Sequence, residues 1–285
     1  MHKKTISVLF LIILFQGIVL GISGCGQEKV SRQTPQTQVV IPPPPPSMTL
    51  TESSNIKNGV SPQKPQEVPV LYYHSVLLEE GNEVRMPPEQ FEAQMIYMRD
   101  KGYESVSLKQ LYQAFYKGGT LPSKPFAITF DDGYVDNYTI AFPILEKYGF
   151  TATVFMVSSY INGEGFLSWS QLKELTAKGW EIEGHTLNHP YLTQMDKASV
   201  INELKSSKEL LEKGLGHKVD FFAYPYGDFN ADVAQAVKDT GYLMAFTTDR
   251  GWADLKLDEW HLKRVYCFAN MGLNEFSRRL QNPNY

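Results

Sequence analysis

The chain has 285 residues, 42% of them hydrophobic and 13% aromatic, with a formal net charge of −4 and two cysteines. That is ample apolar material for a core, and the mildly acidic balance argues against nucleic acid as a partner. Beyond Cys25 the one other cysteine is Cys267, so if Cys25 is modified no internal disulfide can form; a monomer is expected.

His2, Lys3 and Lys4 precede a stretch, Thr5 to Gly24, that carries no charge, and Val8 to Leu14 is continuously apolar. Charged-then-apolar order is that of an export signal. A membrane-spanning helix is the competing reading, since about 20 apolar residues suffice to span, but Gly17, Gly21, Ser23 and Gly24 at the far end favour cleavage. Ile22-Ser23-Gly24-Cys25 resembles a bacterial lipoprotein processing site. That resemblance implies a signal peptide over 1–25 and a lipidated Cys25, tethering the protein to the outer face of a bacterial cell membrane without inserting it. The alternative is an ordinary buried or free cysteine. Residues 26–67 are rich in Pro, Gln, Ser and Thr, include Pro42 to Pro46 and show no apolar period, as expected of a disordered linker with a semi-rigid proline run.

From 68 to 285 the texture changes to short apolar runs alternating with helical patterns. Strands are predicted at Val68 to Tyr73, Tyr103 to Val106, Phe126 to Phe130, Thr151 to Val157, Trp180 to Glu183, Phe221 to Tyr224, Leu243 to Thr247 and Leu262 to Tyr266. Between them, Pro88 to Lys101, Leu108 to Tyr116, Val135 to Tyr148, Trp169 to Lys178, Ala198 to Lys213 and Ala231 to Thr240 place apolar residues at three- and four-residue spacings. Ser107, Ser168 and Asn230 stand where N-caps belong, and Gly102, Gly149, Gly179 and Gly241 follow last turns. Regular strand–helix alternation points to an α/β fold, a parallel sheet closed or nearly closed into a distorted (β/α) barrel with helices outside; an open doubly wound sheet is the alternative.

On a barrel, functional residues sit at the C-terminal ends of strands, and three polar segments fall there. Thr129-Phe130-Asp131-Asp132-Gly133 sets two adjacent carboxylates where glycine can break the strand, so that both can reach one site, one to bind a cation and one to take a proton. Asp-Asp-Gly is also an ordinary turn. His185-Thr186-Leu187-Asn188-His189-Pro190 places two imidazoles four positions apart, on one face if the segment takes a helical turn, a spacing suited to a metal. Phe222-Ala223-Tyr224-Pro225-Tyr226-Gly227 ends in a rigid turn whose backbone N–H can face a ligand oxygen, or it is a plain turn.

Together, in this order, the three segments resemble the polysaccharide deacetylases of carbohydrate esterase family 4, the NodB-like fold, over roughly Val68 to Arg264. The resemblance implies a barrel of about seven strands, a divalent metal of the zinc type held by Asp132, His185 and His189, and Asp131 as catalytic base. The family's third motif usually carries an arginine where this chain has Ala223, and its late Leu-x-His is absent. Leu71-Tyr72-Tyr73-His74 instead resembles the subgroup acting on poly-N-acetylglucosamine, which implies His74 as general acid; His261, at the start of a strand, is the runner-up. Arg264 is expected to restore the missing cation beside Asp131, and the Tyr226 backbone N–H to stabilise the oxyanion. Trp169, Tyr226 and Trp252 are candidates for a sugar groove, with core packing the alternative for each. Glu183 is read as pointing to solvent in preference to supporting a ligand, Asp249 has no assigned role, and His217 is read as surface. The implied activity is metal-dependent hydrolysis of N-acetyl groups on an N-acetylglucosamine polysaccharide of the cell envelope. Its rivals are a non-catalytic glycan-binding lipoprotein and an O-acetyl esterase of the xylan type.

Overall fold

The computed structural model describes residues 66–285; the expected signal segment, Cys25 and the expected linker up to residue 65 lie outside the described residues. The strands are β1 (Glu67–Val68), β2 (Val70–Tyr73), β3 (Glu104–Ser105), β4 (Pro125–Asp132), β5 (Thr153–Met156), β6 (Glu181–Gly184), β7 (Phe221–Ala223), β8 (Met244–Arg250), β9 (Ala253–Asp254) and β10 (Leu262–Tyr266). Parallel neighbours run β2-β10-β8-β7-β6-β5-β4, and a further β2–β4 pairing closes these into a ring of seven, with β3 attached to β4. The expected distorted (β/α) barrel is therefore present. β1 pairs antiparallel with β9, outside the ring.

Period-two alternation decides what each strand offers to either side. Val70, Ala127, Phe155, Phe221, Ala223, Met244, Phe246 and Leu262 pack into one cluster, while Phe126, Ile128, Phe130, Val154, Met156, Ile182, Phe222, Ala245 and Val265 belong to a second, larger one shared with the helices. The first fills the barrel and the second lies between barrel and helices. Parity then assigns Thr129 and Asp131 to the interior with Ala127, and Arg264 with Leu262. Glu183 falls on the same inner parity, between the outward Ile182 and Gly184.

Helices α1 (Pro88–Asp100), α2 (Leu108–Tyr116), α3 (Phe142–Tyr148), α4 (Trp169–Ala177), α5 (Lys197–Leu215), α6 (Ala231–Asp239) and α7 (Leu273–Arg279) follow the strands. Ser107 and Ser168 form capping boxes with Gln110 and Gln171, and Asn230 accepts from Val233 N. Each such cap stabilises a helix start by about 1 kcal/mol. The single helix predicted over Val135 to Tyr148 is instead a π turn, Asn137–Ala141, running into α3. Pro143 lacks the N–H that an α-helix would donate to Thr139, and its ring crowds that carbonyl, so the wider turn relieves both. Among the described residues no helix is long and apolar enough to cross a membrane.

Candidate active site

Asp131 and Arg264 form the top of the barrel's interior column. Both are buried, and the guanidinium grips the carboxylate with both arms, Nη1 to Oδ1 at 2.7 Å and Nη2 to Oδ2 at 2.8 Å. Arg264 donates also to Thr247 O and Thr129 Oγ1, and lies over the Tyr72 ring at 4.0 Å. Burial alone pushes the Asp131 carboxyl upward, but Arg264 outweighs it and holds Asp131 below the usual carboxylate range. The cation missing from the third motif is thus supplied from β10, two strands round the ring from β7, where Arg264 stands.

Asp132 is re-aimed by its own backbone. β4 continues through it, not ending at Phe130 as the sequence suggests, and Asp132 takes φ 70° before Gly133 at φ 84°. A side chain at Gly133 would overlap Met156. The two histidines come together by a different route from the predicted helical turn: the segment after β6 is an irregular loop in which Thr186 and His189 have φ 66° and 60°. Glu203 of α5 accepts from Leu187 N, Asn188 N and Asn188 Nδ2, Thr186 Oγ1 accepts from His189 N, and Ser207 donates to Thr186 O. Of the five described non-glycine residues with positive φ, four (Asp132, Thr186, His189 and Tyr226) belong to this site. Left-handed geometry costs of order 1 kcal/mol for each such residue, so the surrounding bonds must hold it in place.

His185 Nδ1 is 2.7 Å from Ala223 O. A carbonyl only accepts, so that nitrogen carries the proton and Nε2 presents its lone pair. Nε2 of His185 and of His189 stand 3.5 and 3.3 Å from Asp132 Oδ1, a buried oxygen that has no hydrogen-bond partner. Donor atoms at about 2.0–2.2 Å from a common centre in a tetrahedron are separated by roughly 3.4 Å. The residues present therefore fit a divalent cation of the zinc type, which would satisfy the orphaned oxygen; Asp132, His185 and His189 are the one such cluster among the described residues. Burial opposes ionisation of Asp132, but the neighbouring imidazoles outweigh it and bring its pKa to about 2. Burial and then His185 lower His189 to about 4; for His185 burial is overcome by Asp132 and Asp131, and its pKa rises.

His74, following β2, shares this electrostatic neighbourhood: burial lowers its pKa, with Asp131 and Asp132 pulling the other way. Tyr72 OH lies 3.1 Å from His74 Nε2, and the buried Nδ1 has no protein partner. The backbone here is pinned from the π turn, Asn137 donating to His74 O while Asp136 accepts from Ser75 Oγ and Val76 N. Tyr226 has φ 60° within the turn Pro225–Gly227, and the hydrogen bonds closing that turn are donated by Gly227 and Asp228. Its ring meets His189 edge-on at 4.5 Å.

Other sequence expectations need correction. Trp169 packs over Gly214 of α5, where any side chain would strike its ring, and Trp252 donates Nε1 to Arg279 O at 2.8 Å beside α7. Both indoles are partly buried and pack against the core, which is the alternative reading of each. Glu183 does not point to solvent: barrel parity buries it, and it accepts from Asp220 N and Phe221 N at 2.8 Å. Burial pushes its carboxyl well above the usual range. His261 pairs with Asp249 at 3.1 Å, both substantially exposed, which gives Asp249 a partner away from the triad. Glu203, Ser207, Asp136 and Asn137 were missed. For the first two a signal existed, because Glu203 and Ser207 interrupt the buried stripe Val200, Leu204, Leu211 of α5.

A closed parallel barrel with an aspartate–histidine–histidine cluster at its strand ends, beside a second, ionised aspartate, has the form of a hydrolase centre. The family profile described as polysaccharide deacetylase matches residues 118–245. YxkH of Bacillus subtilis (strain 168), a polysaccharide deacetylase by name, is 30% identical over 276 residues, 96% of this chain and 98% of that protein. The chain belongs to the polysaccharide deacetylase family, hydrolases of carbon–nitrogen bonds other than peptide bonds. A poly-beta-1,6-N-acetyl-D-glucosamine N-deacetylase of Staphylococcus aureus (strain NCTC 8325 / PS 47) is 28% identical over 190 residues, 62% of this chain and 65% of that protein. Among solved structures, the Streptococcus pyogenes deacetylase PplD in complex with acetate aligns with a TM-score of 0.72 at 29% identity, covering 76% of this chain and 99% of that one. IcaB from Ammonifex degensii aligns with a TM-score of 0.66 at 25% identity, covering 76% and 98%.

Proposed function

We propose that this protein removes N-acetyl groups from an N-acetylglucosamine-containing polysaccharide, with a zinc-type cation held by Asp132, His185 and His189. The observation that carries the reading is the orphaned Asp132 oxygen between two imidazole nitrogens, one strand position from an Arg264-charged Asp131. The S. aureus relative's name supplies the amide-linked substrate class, and the acetate bound to PplD matches the expected product.

A cation in the triad supplies Lewis acidity, polarising an acetyl carbonyl and acidifying water. Asp131, kept ionised by Arg264, takes a proton from the water that attacks the amide carbon. The Tyr226 N–H donates to the carbonyl oxygen as negative charge gathers there; such a donor is worth about 3 kcal/mol of barrier. His74 gives a proton to the sugar nitrogen as the carbon–nitrogen bond breaks, releasing acetate and a free amine. Because burial lowers its pKa, the imidazole first takes up a proton from solvent and, once protonated, is a strong donor, while the proton on Asp131 returns to solvent as acetate leaves. Tyr72, held under Arg264, fixes the ring through Nε2.

Mass analysis of defined N-acetylglucosamine oligomers incubated with zinc-loaded protein tests the reading: a loss of one acetyl mass per event is expected, and unchanged oligomers would overturn it. Faster turnover of O-acetylated xylan fragments than of N-acetyl sugars would favour the esterase reading instead. The N-terminal pattern supports a further proposal, that the enzyme works outside the cell on a lipid anchor at Cys25. Incorporation of labelled fatty acid that disappears in Cys25→Ala is the expected result.

A further inference from the structure

A polysaccharide needs somewhere to lie beyond the acetyl group that reacts. Tyr191, next to Pro190, stacks on Tyr226 with ring centroids 4.0 Å apart and planes 10° from parallel, and Tyr226 in turn abuts His189. The two residues are 47% and 52% exposed, whereas the other large exposed hydrophobics among the described residues are leucines. One face of Tyr191 is covered by Tyr226, and the residue nonetheless stays about half exposed to water. The two segments are also tied together: Thr193 donates N–H and Oγ1–H to the Asp228 carboxylate at 2.9 and 2.8 Å. Tyr191 and Tyr226 thus meet on a cross-braced pair of turns, and little ordering remains to be done when a ligand arrives.

We propose that the Tyr191–Tyr226 stack is a sugar-binding subsite, with the face of Tyr191 opposite Tyr226 receiving the pyranose next to the one being deacetylated. A pyranose ring offers an apolar face of C–H groups rimmed by hydroxyls, which matches an aromatic face with a polar edge. The position selects the neighbouring sugar and not the reacting one, because Tyr226 stands between Tyr191 and the ligand His189. The inference rests on the N-acetyl polysaccharide reading above, and it makes Tyr191 a determinant of chain length in place of Trp169 and Trp252.

The test is the dependence of kcat and KM on oligomer length, from dimer to hexamer, in zinc-loaded wild type, Tyr191→Ala, Tyr191→Phe and Tyr191→Trp. In the wild type kcat/KM should climb with length. Tyr191→Ala should flatten the climb, losing about tenfold on the hexamer mainly through KM, with metal content and Tm unaltered; the Phe and Trp variants should keep it. An Ala variant with the wild-type length dependence would overturn the subsite, as would Phe and Trp variants that behave like Ala. If the wild type released no acetate at all, the deacetylase reading would fail by itself. The subsite would then be judged by calorimetric titration with the same oligomers: length-dependent binding lost in Tyr191→Ala supports it, and equal binding overturns it.

Discussion

Arg264→Met is the most informative perturbation of the barrel interior. The wild-type guanidinium is fully buried and makes two hydrogen bonds to Asp131, one to Thr247 O and one to Thr129 Oγ1. Methionine keeps much of the volume and removes the charge, leaving a carboxylate with no counter-ion in a dry column. Removing one partner of a buried pair costs about 3–5 kcal/mol. For a domain of this size each kcal/mol moves Tm by roughly 2–4 °C, so a fall of ~6–20 °C is expected at neutral pH. In the wild type the Asp131 pKa is depressed, so its contribution is present above the unfolded value and lost as pH falls through the folded one. In the variant burial is no longer outweighed and the pKa rises above the unfolded value. The penalty should then be largest at high pH and shrink as pH falls through the new pKa, while the acid limb of kcat/KM moves upward in pH. The double variant Asp131→Asn with Arg264→Met, which removes both charges, should recover much of the lost stability. Calorimetry across pH on the zinc-loaded proteins checks this; a single variant with wild-type Tm at neutral pH and an unmoved acid limb would refute the reasoning.

Further outcomes separate the remaining roles. Asp131→Asn should keep bound metal and lose about 10²–10⁴ in kcat, whereas Asp132→Ala should lose both, as read by metal analysis alongside turnover; a fully active Asp131→Asn would remove the base assignment. His74→Ala should lose about 10²–10⁴ on N-acetyl sugars but far less on an aryl acetate, whose phenolate leaves without a proton, and equal losses on both would point away from an acid role. Glu203→Gln should weaken zinc binding by about 10–100-fold, measured by competition with a chelator, because the backbone N–H groups that shape the histidine loop lose a charged acceptor.

The barrel was legible because its determinants are local. Strand parity, Ser107 and Ser168 as caps, and Gly149 as a left-handed helix end are each written within a few residues. The three polar segments were legible for the same reason, since they sit where strands stop. What escaped depends on contacts between elements far apart in sequence. Glu203 meets the histidine loop only once α5 has docked, and the pinning of the His74 segment by Asp136 and Asn137 joins positions sixty or more residues apart. For Trp169 and Trp252 the sequence left groove and core both open, because aromaticity does not reveal which surface a ring will meet. Glu183 misled because a lone carboxylate on a strand is usually solvated, and only the closed ring turns its parity into burial.

Closure also explains how the strands can carry so much polar structure. Asp131 and Arg264 cap the interior column at one end, and at the other Glu181 accepts from Leu108 N, Lys109 N and Thr153 Oγ1 while Glu183 accepts from two N–H groups at the start of β7. Burial and then the charge of Glu181 push Glu183 upward, and burial raises Glu181. At the Asp131 end the opposite sign is reached, because a cation stands against the acid. The same inward parity therefore yields a carboxyl that favours its proton and another that gives it up, and the difference is one arginine on β10.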